Sequence, residues 1–250
     1  MPEKLPATTK QHEDFITNPY FLSFAASVII SYILEVVFYI MVCHPPRHAI
    51  VLLGLPRAGK SVIFGQLAYS KYRHPGTYPN ESIDRYFCMG RQWRIVDTPG
   101  QVKFKYVYFN YYKKWTKGII FVIDLMTIYD ERYQVAQYLY KIVSDPIIRR
   151  NKVPLLILCN RHDDLPMIDL KSIGRFLEKH IDLYKVYFSE KSEKYSVSEN
   201  DYGIYRFNVP IDPFYFSSCP FTVDFASCSN FTDDSDASDL EETVEWITKI

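Results

Sequence analysis

A run of five apolar residues, Ala49-Ile50-Val51-Leu52-Leu53, leads directly into Gly54-Leu55-Pro56-Arg57-Ala58-Gly59-Lys60-Ser61, and a helix is predicted immediately after, over residues 61–71. No other feature of the chain restricts its fold as much. A GxxxxGK[ST] loop set between a strand and a helix is built to wrap an oxyanion. Its glycines let backbone N–H groups close around the anion, and the helix N-terminus adds positive potential. Lys60 brings a mobile cation to terminal phosphates, and Ser61 offers a hydroxyl to Mg²⁺.

Further strand-like runs are predicted over 82–89, 92–97, 118–124, 155–159 and 222–227, and helices over 102–115, 131–144, 169–180 and 240–249. Alternation of this kind reads as an α/β fold: a central, mostly parallel sheet of six strands flanked by helices. Residues 184–219 are rich in aromatic, Ser, Lys and Glu residues without clear periodicity, which predicts a long inserted loop before the last strand. The acidic stretch 233–239 reads as a loop and N-cap, whose carboxylates favour the positive end of the last helix.

Two more motifs follow the phosphate loop in order. The strand Trp93-Arg94-Ile95-Val96-Asp97 ends in Asp97-Thr98-Pro99-Gly100-Gln101. This places a carboxylate for the Mg²⁺ shell at a strand tip, a glycine N–H within approach of a γ-phosphate, and a glutamine able to orient water. The strand over 155–159 ends in Asn160-Arg161-His162-Asp163. A carboxylate at Asp163 accepts both N1–H and the exocyclic amine of guanine, whereas adenine presents an acceptor at N1.

Together these three motifs resemble the Ras-like small GTPases, whose base motif is NKxD. Here Arg161 replaces the lysine and can lay its stem and planar head along the base. The resemblance implies GTP and Mg²⁺ as ligands: Gly54, Leu55, Pro56, Arg57, Ala58, Gly59, Lys60 and Ser61 around the phosphates, and Gly100 at the γ-phosphate. Asn160, Arg161 and Asp163 would hold the base. It also implies Thr77 as the switch threonine, with Ser82 as runner-up, so that Ser61, Thr77 and Asp97 serve the metal. The family's closing guanine loop falls at Ser227-Cys228-Ser229-Asn230, from which Ser229 and Asn230 carry over. Gln101 is the catalytic candidate. With Arg57 expected at the surface or over the phosphates rather than in line, hydrolysis should be slow and dependent on a partner.

Ahead of this domain, residues 21–43 form an almost unbroken apolar run, about 35 Å long as a helix and sufficient for a bilayer core of about 30 Å. It is too long for a signal-peptide core and ends in His44-Pro45-Pro46-Arg47-His48 rather than in small residues. Glu35 opposes insertion, and the surrounding Leu, Ile, Phe and Val side chains more than offset it. Ser23, Ser27, Ser31 and Glu35 recur every fourth residue. They suit either a second transmembrane helix, such as a translocon component, or serines satisfied on their own helix's carbonyls. The expected organisation is a luminal tail over 1–20, the span over 21–43, a tether over 44–48 and the GTPase domain over 49–250.

The remaining composition narrows the partners. With 29 basic and 29 acidic side chains the formal charge is zero, which argues against a uniform electrostatic attraction to nucleic acid or to anionic lipid, and so against direct nucleic-acid binding. Five scattered cysteines, without a CxxC pair, argue against a disulfide framework or a zinc site and suit reduced cytosolic thiols.

A transmembrane helix ahead of such a domain, with the stretches 137–143, 214–229 and 244–250, resembles the family of β subunits of the signal recognition particle receptor. The resemblance implies a single-pass anchor in the endoplasmic reticulum membrane, in contact with its lipid. Its GTPase domain would be cytosolic and dock the receptor α subunit when GTP is bound, through switch segments near Thr77 and over 100–112. Gln101 departs from that family, which often carries histidine there, and the tether is short. Two other readings stand beside it at this stage: an Arf/Sar-like trafficking GTPase with an added anchor, and a nucleotide-bound anchor that never cycles.

Overall fold

A computed structural model describes residues 19–43, 47–69, 82–88, 91–100, 102–160, 169–195, 213–228 and 240–250. The chain divides into two units, Met1–Pro46 and Arg47–Ile250. In the first, α1 (Pro19–Cys43) is one helix whose segment Pro19–Tyr39, with mean hydropathy 2.1, is long and apolar enough to cross a membrane. Large side chains such as Phe24, Ile29 and Phe38 stand fully outward along it. Ser23 Oγ donates to the Tyr20 carbonyl at 2.9 Å and Ser27 Oγ to that of Phe24 at 2.7 Å, so two hydroxyls of the polar stripe are satisfied within the helix.

The second unit is a six-stranded sheet in the order β2-β3-β1-β4-β5-β6. Its strands are β1 (Ala49–Gly54), β2 (Ser82–Cys88), β3 (Arg91–Asp97), β4 (Thr116–Asp124), β5 (Leu155–Asn160) and β6 (Val223–Cys228). All pairings are parallel except β2 with β3, as the alternating pattern predicts. The helices are α2 (Lys60–Tyr69), α3 (Val102–Tyr112), α4 (Ile128–Ser144), α5 (Pro146–Asn151), α6 (Leu170–Tyr195) and α7 (Glu241–Lys249).

Because side chains alternate along a strand, the central strands β1, β4 and β5, apolar at nearly every position, feed two cores. Val51, Leu53, Phe121, Ile123 and Ile157 pack beneath α3, α4 and α6, against Phe109, Tyr138 and Leu177. Ile50, Leu52, Ile120, Val122 and Leu158 pack on the other face against Ile63 and Phe64 of α2 and Trp246 and Ile247 of α7.

Three features differ from the sequence expectation: the N-cap of α7 is Leu240, without a side-chain cap bond, rather than the acidic stretch 233–239, which lies outside the described residues, and two helices differ as follows. The helix predicted over 169–180 runs on to Tyr195, so the first dozen residues of the expected inserted loop are helical. Ile173, Leu177, Ile181 and Tyr184 continue one buried face, and the Tyr184 ring meets Tyr140 edge-on at 5.6 Å. Glu178 and Asp182 on the same helix accept the backbone N–H groups of Phe216 and Phe214, at 2.8 and 2.7 Å, and so pin the chain entering β6. The short helix α5 was not predicted. Asp145 caps it by accepting from Ile147 N and Ile148 N, and the same carboxylate is held at 2.7 Å by buried Lys113.

Candidate functional site

The C-terminal ends of β1, β3 and β5 lie at one end of the sheet, β3 beside β1 and β5 beyond β4, and the three sequence motifs grow from them. At the end of β1, Gly54 has φ of 146°, and a Cβ there would stand 2.4 Å from the Val122 carbonyl oxygen of β4, so only glycine lets the chain leave the sheet at this point. The loop then turns through Arg57, at φ 65° with its side chain exposed, and Gly59, at φ 95°, before α2 begins at Lys60. Val62 N and Ile63 N both donate to the Gly59 carbonyl, which seats the first turn of α2.

Lys60 is buried, and its ammonium donates to the Leu55 carbonyl across the loop at 2.7 Å. Burial pulls its pKa down from 10.5 to about 8, against the opposing pull of Asp97 and Glu131. Ser61 Oγ donates to Asp97 Oδ2 at 2.6 Å, which joins the first turn of α2 to the tip of β3. Gly100 closes the arrangement: a Cβ on it would lie 2.6 Å from Lys60 Nζ and 2.7 Å from Pro56 N, so its backbone rests directly on the loop.

The tip of β5 is tied to the same loop. Asn160 Nδ2 donates to the Ala58 carbonyl at 3.0 Å, and its Oδ1 accepts from the buried Cys228 thiol of β6 at 3.7 Å. Asn160 therefore braces the phosphate loop from the side, a role that the base-motif reading did not include. Thr98 was passed over in the sequence, yet its hydroxyl donates to the Leu52 carbonyl at 2.7 Å and fixes the chain between Asp97 and Gly100 to β1. A threonine beside a strand-tip carboxylate was the only available signal. Gly54, Leu55, Pro56, Arg57, Ala58, Gly59, Lys60, Ser61, Asp97, Gly100 and Asn160 thus converge on one end of the sheet. Thr77, Gln101, Arg161, Asp163, Ser229 and Asn230 lie outside the described residues, and Ser82 opens β2.

Among the described residues no group of three His, Cys, Asp or Glu side chains is gathered to hold a metal. What the site offers is a hydroxyl and a carboxylate oxygen in contact, beside a buried ammonium. Two hard oxygens fit Mg²⁺, which demands oxygen ligands, keeps several waters and takes the rest of its shell from substrate phosphates.

A family model described as signal recognition particle receptor beta subunit matches residues 46–210. The signal recognition particle receptor subunit beta of Rattus norvegicus is 25% identical over 240 residues, covering 93% of this chain and 88% of the rat protein. In three dimensions the chain is similar to the mammalian SRP receptor, with a TM-score of 0.64 and 25% identity over 80% of this chain and 98% of that one. The SRb-GTP/SRX complex from Chaetomium thermophilum shares the fold at a TM-score of 0.58 and 15% identity, over 80% of this chain and 99% of that one.

Proposed function

This chain belongs to the signal recognition particle receptor beta subunit family, GTPase-fold subunits that anchor the receptor to the membrane, and on that premise we propose that it binds GTP with Mg²⁺ and docks the receptor α subunit in that state. The observation that carries the proposal is the contact of Ser61 Oγ with Asp97 Oδ2, set between buried Lys60 and the backbone of Gly100. A γ-phosphate entering this cradle would take over the Lys60 ammonium from the Leu55 carbonyl. Ser61 and Asp97 would turn their oxygens to the Mg²⁺, which supplies charge neutralisation at the β- and γ-oxygens. Gly100 would meet the γ-phosphate through its N–H, so the segment that follows, leading into α3, would report whether that phosphate is present.

Hydrolysis is secondary in this proposal. Gln101 would orient water, and a partner would have to compensate the remaining transition-state charge, so turnover by the chain alone should be slow. Family membership sets aside the reading as an Arf/Sar-like trafficking enzyme. The chain would stand in the endoplasmic reticulum membrane with its N-terminus luminal and Arg47–Ile250 cytosolic, where GTP and reduced thiols are found.

Nucleotide competition tests the assignment. GTP should displace a bound guanine nucleotide and ATP should not, and Asp163→Asn should shift preference toward xanthine nucleotide, which carries a carbonyl where guanine carries the amine. Equal displacement by ATP would contradict the proposal.

A further inference from the structure

The nucleotide site occupies one pole of the sheet, and the opposite pole carries a different chemistry. There the parallel strands begin: Ala49 is level with Arg94 and Thr116, and Leu155 with Val223. The chain enters at this pole, where His48 N and Ala49 N both donate to the Trp115 carbonyl. Arg47 Nη1 reaches across to the Asn151 carbonyl at the end of α5, at 2.8 Å.

We propose that this pole docks on the headgroups of anionic lipids in the membrane that holds α1, through Arg47, Arg94, Lys114, Lys117, Lys152 and Lys249. The proposal rests on the reading of α1 as an anchor. Three of these cations, Lys117, Lys152 and Lys249, rim one open depression of about 780 Å³, whose floor includes Pro154 and Phe221. Lysine stems over an apolar floor with ammonium groups at the rim suit an interface that is part headgroup and part acyl chain. Lys249 reaches this pole because α7 returns along the sheet and ends where Trp246 and Ile250 cover Gly118.

Among the described residues, two carboxylates share this pole, Asp224 and Glu245. Asp224 Oδ2 accepts from Trp246 Nε1 at 2.9 Å, and Glu245 pairs with Lys249 at 2.7 Å. Neither contact removes the negative charge, and Glu245 offsets Lys249, so the face is cationic only because six cations stand against these two carboxylates, on a chain that is formally neutral.

Chain length selects lipid over protein as the occupant. Only residues 44–46 separate the end of α1 at Cys43 from Arg47, and that link spans at most about 14 Å. Headgroups lie within that distance of any helix end at a bilayer boundary, whereas a folded partner would have to fit into the same gap. A negative surface potential then acts on each cation within a Debye length.

Lysine footprinting of the full chain in nanodiscs tests this directly. Discs of phosphatidylcholine alone are compared with discs containing phosphatidylserine, and an amine-reactive acyl ester reads Lys117, Lys152 and Lys249 against Lys171 and Lys179 of α6 as internal controls. In anionic discs the three pole lysines should label several-fold more slowly than in neutral discs, and raised salt should remove the difference. In Lys117→Glu/Lys249→Glu, Lys152 should label in anionic discs at its neutral-disc rate, with GTP binding at the far pole retained as the check on folding. If that pair disturbs the fold, the glutamine pair serves instead. Equal labelling in both discs overturns the proposal, as does protection confined to native membranes, which would assign the face to a protein. Retention of the chain in the disc reports the anchor separately, so failure of the docking face is not confused with failure of the span.

Discussion

Lys60 shows how one side chain ties the free site to its ligand. It is buried, donates to the Leu55 carbonyl and loses its proton near pH 8. The sign follows from linkage: between about pH 8 and 10.5 the unfolded chain still holds a proton that the folded chain has released. Stability of the nucleotide-free protein should therefore rise with pH across that interval. Binding should run the opposite way, because phosphate charge restores the protonated form. GTP affinity should fall above pH 8, approaching about tenfold per pH unit for one linked proton. Calorimetry at pH 8.5 in two buffers of different ionisation heat should show proton uptake on binding; its absence would detach Lys60 from the phosphates. The spacing Gly54, Gly59, Lys60, Ser61 was enough to place these residues together, because a phosphate loop encodes its geometry locally. The bond from Asn160 to Ala58 was not legible, since it joins residues 102 apart that meet only when β5 enters the sheet beyond β4.

At the scale of elements, the junction of α3, α4 and α5 depends on Asp145. Its carboxylate caps α5 and holds Lys113, and both side chains are almost wholly buried. Removing one member leaves a buried charge without its partner, which costs about 3 to 5 kcal/mol. Asp145→Ala should therefore lower the thermal midpoint of the solubilised chain markedly, while a loss below about 1 kcal/mol would show that the pair is dispensable. The strands were legible because runs such as Ile119-Ile120-Phe121-Val122-Ile123 bury both faces in a parallel sheet. The second half of α6 was not. Its Ser, Lys and Glu residues carry little apolar signal, whereas Asp182 and Tyr184, just past the predicted end, are held by the Phe214 N–H and the Tyr140 ring. The helix α5 was missed because a six-residue segment offers less than two turns of periodicity.

At the scale of the whole molecule, the chain has one helix long and apolar enough to cross a membrane and one GTPase-fold unit. Protease added to sealed microsomes should digest Arg47–Ile250 and leave a small fragment containing α1, whereas protection of the whole chain until detergent is added would reverse the topology. The central claim is that the γ-phosphate in the cradle of Lys60, Ser61 and Gly100 licenses capture of the α subunit. The measurement that tests it most directly is recovery of that subunit on the solubilised full chain, loaded with either a non-hydrolysable GTP analogue or GDP, for wild type and Ser61→Asn. Capture should depend on the triphosphate in the wild type and be lost in Ser61→Asn, which lacks the hydroxyl that bonds Asp97 and would serve the metal. Equal capture in every nucleotide state, undiminished in the variant, would contradict the account.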